Sequence, residues 1–378
     1  MRLNLPFGGQ SVKATSERLV VLSYSALQVL SSAVLNGGLR KANSILIQRV
    51  PSNFRCADPQ AYLSKIAAKH RLDLGTTVGF MTAANPRKFG FSTFEHGRIR
   101  VSAIVTAGTS NAARAGEHVK LSKSGTGTVN IIVLTDARMT ERCLANALQT
   151  ATEAKTLSFR ELDIRSANSR EEATGTSTDA ILIGTTNESE TCEYAGVASD
   201  LGRSIAKTVH DSVREAIIRH DRLLPNRHLL DRLRERGIKL KDLEDAFLQN
   251  YLHHESFGTR DRAMKIFRRS LEEASSDHNV AALVLAALRL EDDGRLGLIP
   301  GLSEGEFAKD PVSLLADEIM GMAISNYIAG SKGLFEYVRF DRTKPGVIRK
   351  LGPFADDAIG ALVAGASSNV YSRLLRKE

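Results

Sequence analysis

Several residue types that often mark a protein's function are scarce in this chain of 378 residues. It has no tryptophan, only 6% of its residues are aromatic, and its three cysteines (Cys56, Cys143 and Cys192) form no CxxC pair. Three widely separated cysteines exclude a disulfide framework and a cysteine-based zinc site. They favour a reducing compartment, so we expect a cytoplasmic protein.

Long apolar runs are also missing. The longest run, NVAALVLAAL at 279–288, is well short of the roughly 20 residues that cross a bilayer. The N-terminus has neither a long apolar stretch nor a small-residue cleavage site, so we expect no signal peptide and no membrane span. Hydrophobic residues at 42% and charged residues at 25% are ordinary for a globular protein.

The net charge of +8 is unevenly distributed. Through His220 there are 27 Lys and Arg against 19 Asp and Glu, whereas the remainder has 24 of each. A nucleic-acid binder usually concentrates such an excess in a basic run or helix face and adds aromatics that stack on bases. No run here exceeds two adjacent basic residues, so we expect no nucleic-acid partner and interpret the excess as a mildly basic surface.

The first part of the chain alternates between strand-like and helix-like segments. Asp58-Pro59 is a helix start, Thr140-Glu141 begins a helix that ends at about Thr156, and Asp200 to His220 is predicted to be a long helix. The predicted strands are LVVLSY at 19–24, ILIQRV at 45–50, VGFMTAA at 78–84, RVSAIVTAG at 100–108, TVNIIVL at 128–134 and AILIG at 180–184. This alternation predicts an α/β domain with a mixed sheet over residues 1–222.

The strand signal ends at Pro225, the natural domain boundary. The segments that follow have apolar residues at helical spacing and local start or stop residues, which predicts an all-α domain over 226–378. The predicted helices are 227–236, 242–252, 261–274, 279–292, one that starts at Asp310-Pro311 and ends at Ala329 before Gly330, and 354–375.

Four segments of the first domain are dense in small and polar residues and are interpreted as loops. They are SSAVLNGG (31–38), VTAGTSNAARAGE (105–117), ATEAKT (151–156) and ATGTSTDA (173–180). Such loops let a ligand approach the backbone and offer many N–H and hydroxyl groups. None matches a GxxxxGK[ST] phosphate loop or a GxGxxG turn, and a purely structural role remains the alternative for each.

In this order, these segments resemble the adenosylcobinamide amidohydrolase family. FMTAA (80–84), GTVNIIVL (127–134) and YAGVASDLGRSI (194–205) extend the resemblance, which covers about residues 20–220. It implies hydrolysis of the amide that joins cobyric acid to aminopropanol in adenosylcobinamide, a step in corrinoid salvage.

Amide hydrolysis needs a nucleophile or an activated water, a base, and donors for the tetrahedral oxyanion. Glu153 beside Lys155, and Asp179 beside Ser177 and Thr178, are the acid–base candidates. A Ser or Thr nucleophile stays open, although no GxSxG elbow is present. The candidates for holding the oxyanion or the substrate are Asn36, Ser110, Asn111, Arg114, Thr176 and the backbone N–H groups of 108–110. For each, the alternative is a loop-fixing hydrogen bond or a surface ion pair.

Paired carboxylates interrupt apolar helices in the second half, in ADEIMG (316–321) and FADDAIGA (354–361). A buried carboxylate must be paired or bind a cation. Converging carboxylates without Cys or His favour Mg²⁺ or a similar hard divalent ion. In FDRTKPGVI (340–348), Lys344 follows Asp341 by three residues and could reach a phosphate. The alternative is a buried salt-bridge set that involves Lys344 or Arg342.

DEIMGMAISNYIAGS, FDRTKPGVI and FADDAIGALVAGASS resemble the phosphatidylglycerophosphatase A superfamily, especially its soluble all-α branch, which includes the α-ribazole-5′-phosphate phosphatase of cobamide synthesis. The resemblance implies Asp317, Glu318, Asp356 and Asp357 as metal ligands, with Asp317 and Asp356 also as catalytic carboxylates. It implies Asp341 and Lys344 as phosphate-site residues and Glu291 as a weaker addition. The membrane-embedded members have long apolar spans that this chain lacks, which argues against a lipid phosphate.

Together the two resemblances imply a bifunctional hydrolase of cobalamin salvage. It would act on adenosylcobinamide and, with a divalent metal ion, on α-ribazole phosphate. Two alternatives remain open: an amidohydrolase whose second domain is a degenerate corrinoid- or partner-binding module, and a non-catalytic corrinoid carrier. The sequence leaves the oligomeric state open, a homo-oligomer included.

Overall fold

The computed structural model describes residues 1–7, 9–119 and 127–375. The chain forms two compact units, Met1–Pro225 and Asn226–Glu378. The first unit is a mixed, curled sheet with helices and the second is dominated by helices, so the predicted fold class is confirmed. None of the described helices is long and apolar enough to cross a membrane.

One large sheet forms the centre of the first unit. Its strands, within the described residues, are β1 Arg2–Asn4, β2 Gln10–Ala14, β3 Arg18–Ser31, β4 Gly38–Arg49, β5 Thr77–Thr82, β6 Gly90–His96, β7 Ile99–Ala107, β9 Val129–Thr135 and β12 Ala180–Thr185. The two-residue strands β8 Ala112–Ala113 and β11 Gly175–Thr176 pair with each other, as do β10 Arg138–Met139 and β13 Thr191–Cys192. All six predicted strands are present.

The long strand β3 explains why the sheet curls. Its first half pairs with β2 and its second half with β12, while β4 runs along its other side with a register shift between Leu22 and Leu27. Strands β12 and β9 are parallel, as are β4 and β5, and the remaining pairs of this sheet are antiparallel. An irregularity in a long antiparallel pair bends the strand and increases its twist, which turns one face of the sheet inward.

Both faces of the sheet are buried. Helices α2 (Glu141–Glu161) and α3 (Asp200–Asp221) cover one face, where they pack on Val105, Ile131 and Val133 among others. Ile132 and Leu134 face the opposite, concave side and contact a second apolar cluster that includes Phe80. Because successive strand residues point to opposite faces, β9 needs apolar side chains at nearly every position. The remaining helix, α1 (Pro59–Lys69), packs on Leu35 and Leu46.

Three of the four small-residue segments meet at one end of this sheet. The register places Ala180 opposite Asn130, Leu182 opposite Ser31 and Ala107 opposite Val129. The loops that leave β3 and β7 therefore lie beside the residues that lead into β9 and β12. The fourth segment, 151–156, is not a loop: it lies inside α2, the helix predicted from Thr140-Glu141, which continues beyond its predicted end to Glu161.

The second unit contains seven α-helices in its described part. They are α4 Leu229–Glu235, α5 Leu240–Asn250, α6 Arg260–Ser276, α7 His278–Arg295, α8 Glu304–Phe307, α9 Ala316–Thr343 and α10 Pro353–Leu375. Helix α10 is buried all round, with every residue from Phe354 to Ser368 buried, and α5, α6, α7 and α9 pack against it. A helix that is apolar on all sides has this central position in a helical unit.

Helix α9 departs from its prediction at both ends. It begins at Ala316 rather than at Asp310-Pro311, because Asp310 has a left-handed φ of 52° and a turn follows it. The predicted stop at Gly330 is a sharp kink at Ala329 and Gly330, after which the helix continues to Thr343.

The two halves of α9 pack against each other as an antiparallel hairpin. A Cβ at Gly321 would lie 2.4 Å from the Tyr337 hydroxyl, and one at Gly333 would lie 2.2 Å from the Ser325 carbonyl oxygen. Both contacts are symmetric about residue 329, as antiparallel packing requires. This packing brings the acidic start of α9 close to its own C-terminal turns.

Candidate functional site

The first candidate site lies at the end of the sheet where the small-residue loops meet, and Asp179 is its most connected side chain. Its Oδ2 accepts from Lys155 Nζ at 2.6 Å and from Thr176 N at 3.0 Å. Its Oδ1 accepts from Val129 N at 3.1 Å and from the Thr176 hydroxyl. Lys155 is buried and Asp179 is nearly so, with 9% (Lys155) and 11% (Asp179) of the side chains exposed. Four donors around one carboxylate hold the turn at 175–179 in place.

Gly175 makes this arrangement sterically feasible. A Cβ there would lie 2.3 Å from Asp179 Oδ2 and 2.6 Å from Lys155 Nζ, closer than van der Waals contact allows. With a larger residue at this position, the turn could keep its place only if the ends of the Lys155 and Asp179 side chains moved.

Asn111 connects the 105–117 loop to the 173–180 loop. Its Nδ2 donates to the exposed Ser177 hydroxyl at 2.7 Å, whereas its Oδ1 is buried and has no hydrogen-bond partner among the residues that the structure describes. A buried acceptor without a partner is costly unless a ligand or a water supplies the donor. Asn111 and Ser177 are therefore the pair best placed to meet a polar substrate group here.

An apolar pocket with a cavity of about 200 Å³ opens on the concave side of the same strand ends. Phe54, Phe80 and Ala180 contribute to its walls, and Thr82, Thr128 and Thr178 are the threonines that line it. The interacting pair is Thr128 and Thr178. The two threonine hydroxyls are 2.7 Å apart. Because Thr178 is the neighbour of Asp179, the pocket adjoins the turn that the ion pair holds.

Glu153 does not join this site. It is exposed on α2, beside a different groove that also involves Leu157 and His210, whereas Lys155 is on the buried face. Residues i and i+2 of a helix lie about 200° apart, so Glu153 and Lys155 point to different sides of α2.

Three other predicted binding residues have structural partners. The Asn36 amide nitrogen donates to the carbonyls of Leu74 and Thr77 at 2.8 and 2.7 Å. Arg114 is 3.4 Å from Glu171, and Thr176 is a partner of Asp179. Such contacts are the loop-fixing hydrogen bonds and surface ion pairs that the sequence left open as the alternative to substrate binding for these three residues.

The backbone N–H groups of 108–110 are not all available for an oxyanion. Gly108 N donates to Thr128 O, and both the N–H and the hydroxyl of Thr109 donate to Asp221 Oδ2, at 2.8 and 2.7 Å. Burial raises the pKa of Asp221, but hydrogen bonds from His220 and Thr109 outweigh it and hold this pKa below its usual value. Asp221 therefore anchors the loop, and only the exposed Ser110 of the three keeps its predicted role open.

Sequence reasoning missed Thr128, Asn130 and Asp221. Thr128 and Asn130 lie where β9 begins, and alternation along TVNIIVL places them on the same face as Ile132 and Leu134. Two polar residues on the buried face of an apolar strand were the available signal. Asp221 had no comparable signal, because its partner is 112 residues away.

The second candidate site is an acidic cluster in the second unit. Glu318, Asp341 and Asp357 each place a carboxylate oxygen within 4.8 Å of the others. The buried Tyr337 hydroxyl contacts Asp357 Oδ1 at 2.7 Å and Glu318 Oε2 at 3.0 Å. The α9 hairpin creates this cluster, because it brings Glu318 and Asp341 to the same end, beside α10.

Lys344 belongs to a neighbouring ion pair. Its Nζ is 2.7 Å from Asp356 Oδ2 and 3.4 Å from Asp310 Oδ2. Within the described ranges of the chain, Asp356 Oδ1 is buried without a hydrogen-bond partner. Burial raises the pKa of Asp356 to about 7, although the pair with Lys344 acts to lower it.

The four predicted metal ligands are therefore not brought together. Glu318 and Asp357 lie in the cluster, but Asp356 pairs with Lys344, and Asp317 is buried with its Oδ1 on the N–H of Glu318. The third member of the cluster is Asp341, which was predicted as a phosphate-site residue. Adjacent helical residues point about 100° apart, so the two members of each acidic pair have different hydrogen-bond partners here.

Glu291 has a structural position. Its carboxylate accepts from Ala355 N at 3.3 Å and pairs with Arg295 Nε at 2.7 Å, at the start of α10. A carboxylate at a helix N-terminus satisfies an otherwise unpaired N–H group and interacts favourably with the helix dipole.

The acidic cluster has the chemistry of a site for a hard divalent ion. Burial raises the pKa of Asp357 to about 8, and the charges of Asp356 and Glu318 add to it; burial and the charge of Asp341 raise the pKa of Glu318. One buried acid, Asp357, and one half-buried acid, Glu318, resist ionisation in each other's presence, and one cation would relieve both. The three-carboxylate donor set thus fits Mg²⁺.

Comparison with known proteins identifies the family of the first unit. Residues 6–225, more than half of the chain, match the family model of adenosylcobinamide amidohydrolase, so the protein belongs to this family. An adenosylcobinamide amidohydrolase of Methanosarcina mazei is 27% identical over 199 residues, 49% of this chain and 88% of that protein. An uncharacterized protein of Methanocaldococcus jannaschii is 38% identical over 116 residues, 30% of this chain and 88% of that protein.

Among solved structures, the low temperature requirement C protein of Listeria monocytogenes is 26% identical, with a TM-score of 0.33. The match covers 38% of this chain and 92% of that protein.

Proposed function

We propose that the first unit hydrolyses the amide of adenosylcobinamide, releasing aminopropanol and leaving the carboxylate of adenosylcobyric acid. The family match over residues 6–225 carries this proposal. In the reaction, water adds across the C–N bond: the carbonyl carbon takes the hydroxyl group and the amine nitrogen takes the proton.

Asn111 and Ser177 contact the reacting amide in this proposal. They join two loops at the sheet end, Ser177 is exposed, and the Asn111 carbonyl oxygen needs a donor such as an amide N–H. The Lys155–Asp179 pair holds the turn that presents Ser177. The alternative is a direct acid–base role for this pair. In that case Asp179 would first have to release one of its four donors.

Incubation of the purified protein with adenosylcobinamide tests the activity, with adenosylcobyric acid scored by mass and free aminopropanol measured in parallel. Asn111→Ala should lower turnover at least tenfold, since it removes a group that meets the substrate. Asn326→Ala, exposed on α9 of the other unit, is the matched control. Tight corrinoid binding without release of aminopropanol would instead identify a carrier.

The acidic cluster supports a second activity, a metal-dependent phosphatase acting on α-ribazole phosphate. When bound, the metal ion would polarise phosphoryl oxygens and activate water. Glu318, Asp341 and Asp357 hold the ion, and Lys344 offers its ammonium group to the phosphate. Their oxygens lie close together, with Asp357 buried and Glu318 and Asp341 half-buried. The resemblance of these helices to ribazole phosphatases supports the same chemistry.

This activity is tested with α-ribazole phosphate, with Mg²⁺ and with EDTA. Glu318→Gln and Asp357→Asn should each abolish Mg²⁺-dependent phosphate release while the protein remains folded. Asp245→Asn, on the surface of α5, is the control. If the wild-type protein releases aminopropanol but no phosphate, the second unit is a degenerate binding module.

A further inference from the structure

The pocket on the concave side of the sheet differs in character from the rest of the candidate amidohydrolase site. Its walls are apolar, and none of the described residues that line it is charged. It therefore favours a neutral group with an apolar body and does not suit an ion.

The two threonine hydroxyls restrict what that group can be. Thr128 and Thr178 contact each other at 2.7 Å, and both lie within hydrogen-bond distance of the Gly127 carbonyl oxygen, at 2.8 and 3.0 Å. Two hydroxyls have two hydrogens: one bridges the pair and the other is donated to Gly127 O. Only lone pairs of Thr128 and Thr178 remain free, so a group that binds to these two hydroxyls must bring the donor, an O–H or an N–H.

The size of the cavity excludes most of a corrinoid. Water occupies about 30 Å³ per molecule in the liquid, so a cavity of about 200 Å³ holds roughly seven groups of that size. A three-carbon amino alcohol fits, whereas a corrin ring does not. The pocket also begins at Thr178, next to Ser177, so a group inside it can remain covalently joined to an amide at Ser177 and Asn111.

We propose that this pocket binds the amine-side arm of the amide substrate, and that Thr128 and Thr178 determine specificity for an arm with a hydroxyl donor. This inference rests on the proposed amidohydrolase function and names the part of the substrate that the site recognises. The arm enters as a neutral amide and leaves as an ammonium ion. Since the lining provides no counter-charge, the pocket does not retain the product.

Two substrate series and three variants test the proposal in the full-length protein. The first series changes the amine arm of adenosylcobinamide, replacing aminopropanol by propylamine, which lacks the hydroxyl. The second series keeps the arm and replaces the adenosyl ligand by cyanide. The variants are Thr178→Val, which removes the hydroxyl at nearly constant shape, Thr178→Ser, which retains it, and Thr152→Val. Thr152 is exposed on α2 and bonds only to its own helix, so it is the matched control.

Thr178→Val should reduce kcat/KM for the hydroxyl-bearing arm about tenfold, mainly through KM, and change it less than twofold for the propylamide. Thr178→Ser should restore discrimination between the two arms, and the exchange of adenosyl for cyanide should not alter it. Equal losses of kcat/KM on both arms would overturn the assignment of the pocket to the amine arm. A loss of kcat/KM that depends on the adenosyl ligand would also overturn it, because the pocket would then hold another part of the corrinoid. No hydrolysis by the wild type would overturn the proposed function, and this inference with it.

Discussion

The buried Lys155–Asp179 pair allows a structural role to be separated from a catalytic one. Lys155→Met keeps the length of the side chain but leaves the Asp179 carboxylate without its cation at a site where 11% of the side chain is exposed. Removing one partner of a buried pair costs about 3–5 kcal/mol. Asp179 retains three further donors, so we expect the lower end, about 3 kcal/mol.

For a unit of 225 residues, each kcal/mol shifts the melting temperature by about 2–4 °C, so the expected decrease is about 6–12 °C. Differential scanning calorimetry of the full chain measures it. Adding Asp179→Asn to Lys155→Met should recover part of the loss, because it removes the unpaired charge. Lys207→Met is the matched control: its pair with Asp211 is on the surface and should contribute less than about 1 kcal/mol.

Turnover decides between the two roles. If the pair holds the turn at 175–179, lost activity should accompany lost stability and partly return in the double variant. A Lys155→Met protein as stable as the wild type but inactive on adenosylcobinamide would refute this reasoning. It would assign the pair to proton transfer.

Three further predictions concern the glycines and the acidic pair. Gly175→Ala should lower the free energy of unfolding by more than about 2 kcal/mol, because the new Cβ would overlap the Lys155–Asp179 pair. Denaturant unfolding measures this change. A variant with the denaturation midpoint of the wild type would contradict the packing described for Gly175. Gly330→Ala, at a φ of 63°, should cost about 1–3 kcal/mol in the same measurement; no loss would mean that the α9 hairpin turns differently. Burial raises the pKa of Asp356 to about 7 and that of Asp357 to about 8, above the values of the unfolded chain. The folded protein therefore binds these protons more tightly than the unfolded chain does. The resulting stabilisation is complete below about pH 4 and is lost as the pH rises to 8. Metal-free protein should therefore show a lower melting temperature for the second unit at pH 8 than at pH 5. Addition of Mg²⁺ should restore the melting temperature at pH 8. A higher melting temperature at pH 8 than at pH 5 without metal would falsify the raised pKa values of these two acids.

The strong strands and helices were predictable because they depend on local patterns. TVNIIVL at 128–134 became β9, Val129–Thr135, and the helix predicted from Asp58-Pro59 begins at Pro59 with Asp58 as its cap. The missed strand β6 is an edge strand with exposed polar residues, so it lacks the apolar run that marks a buried strand. The segment 151–156 was mistaken for a loop because small residues occur in both loops and close-packed helices.

Residue types and order in the sequence were enough to predict an α/β unit followed by a helical one, to identify the amidohydrolase family, and to find the loops that form the candidate sites. Which side chains meet was decided by tertiary structure. Asn111 reaches Ser177 across 66 residues, and Asp341 joins Glu318 only because α9 folds back on itself at Gly330. Neighbours in sequence such as Glu153 and Lys155, or Asp356 and Asp357, point apart because a helix rotates about 100° per residue. Proximity along the chain therefore indicated the right segments and, at several positions, the wrong partners.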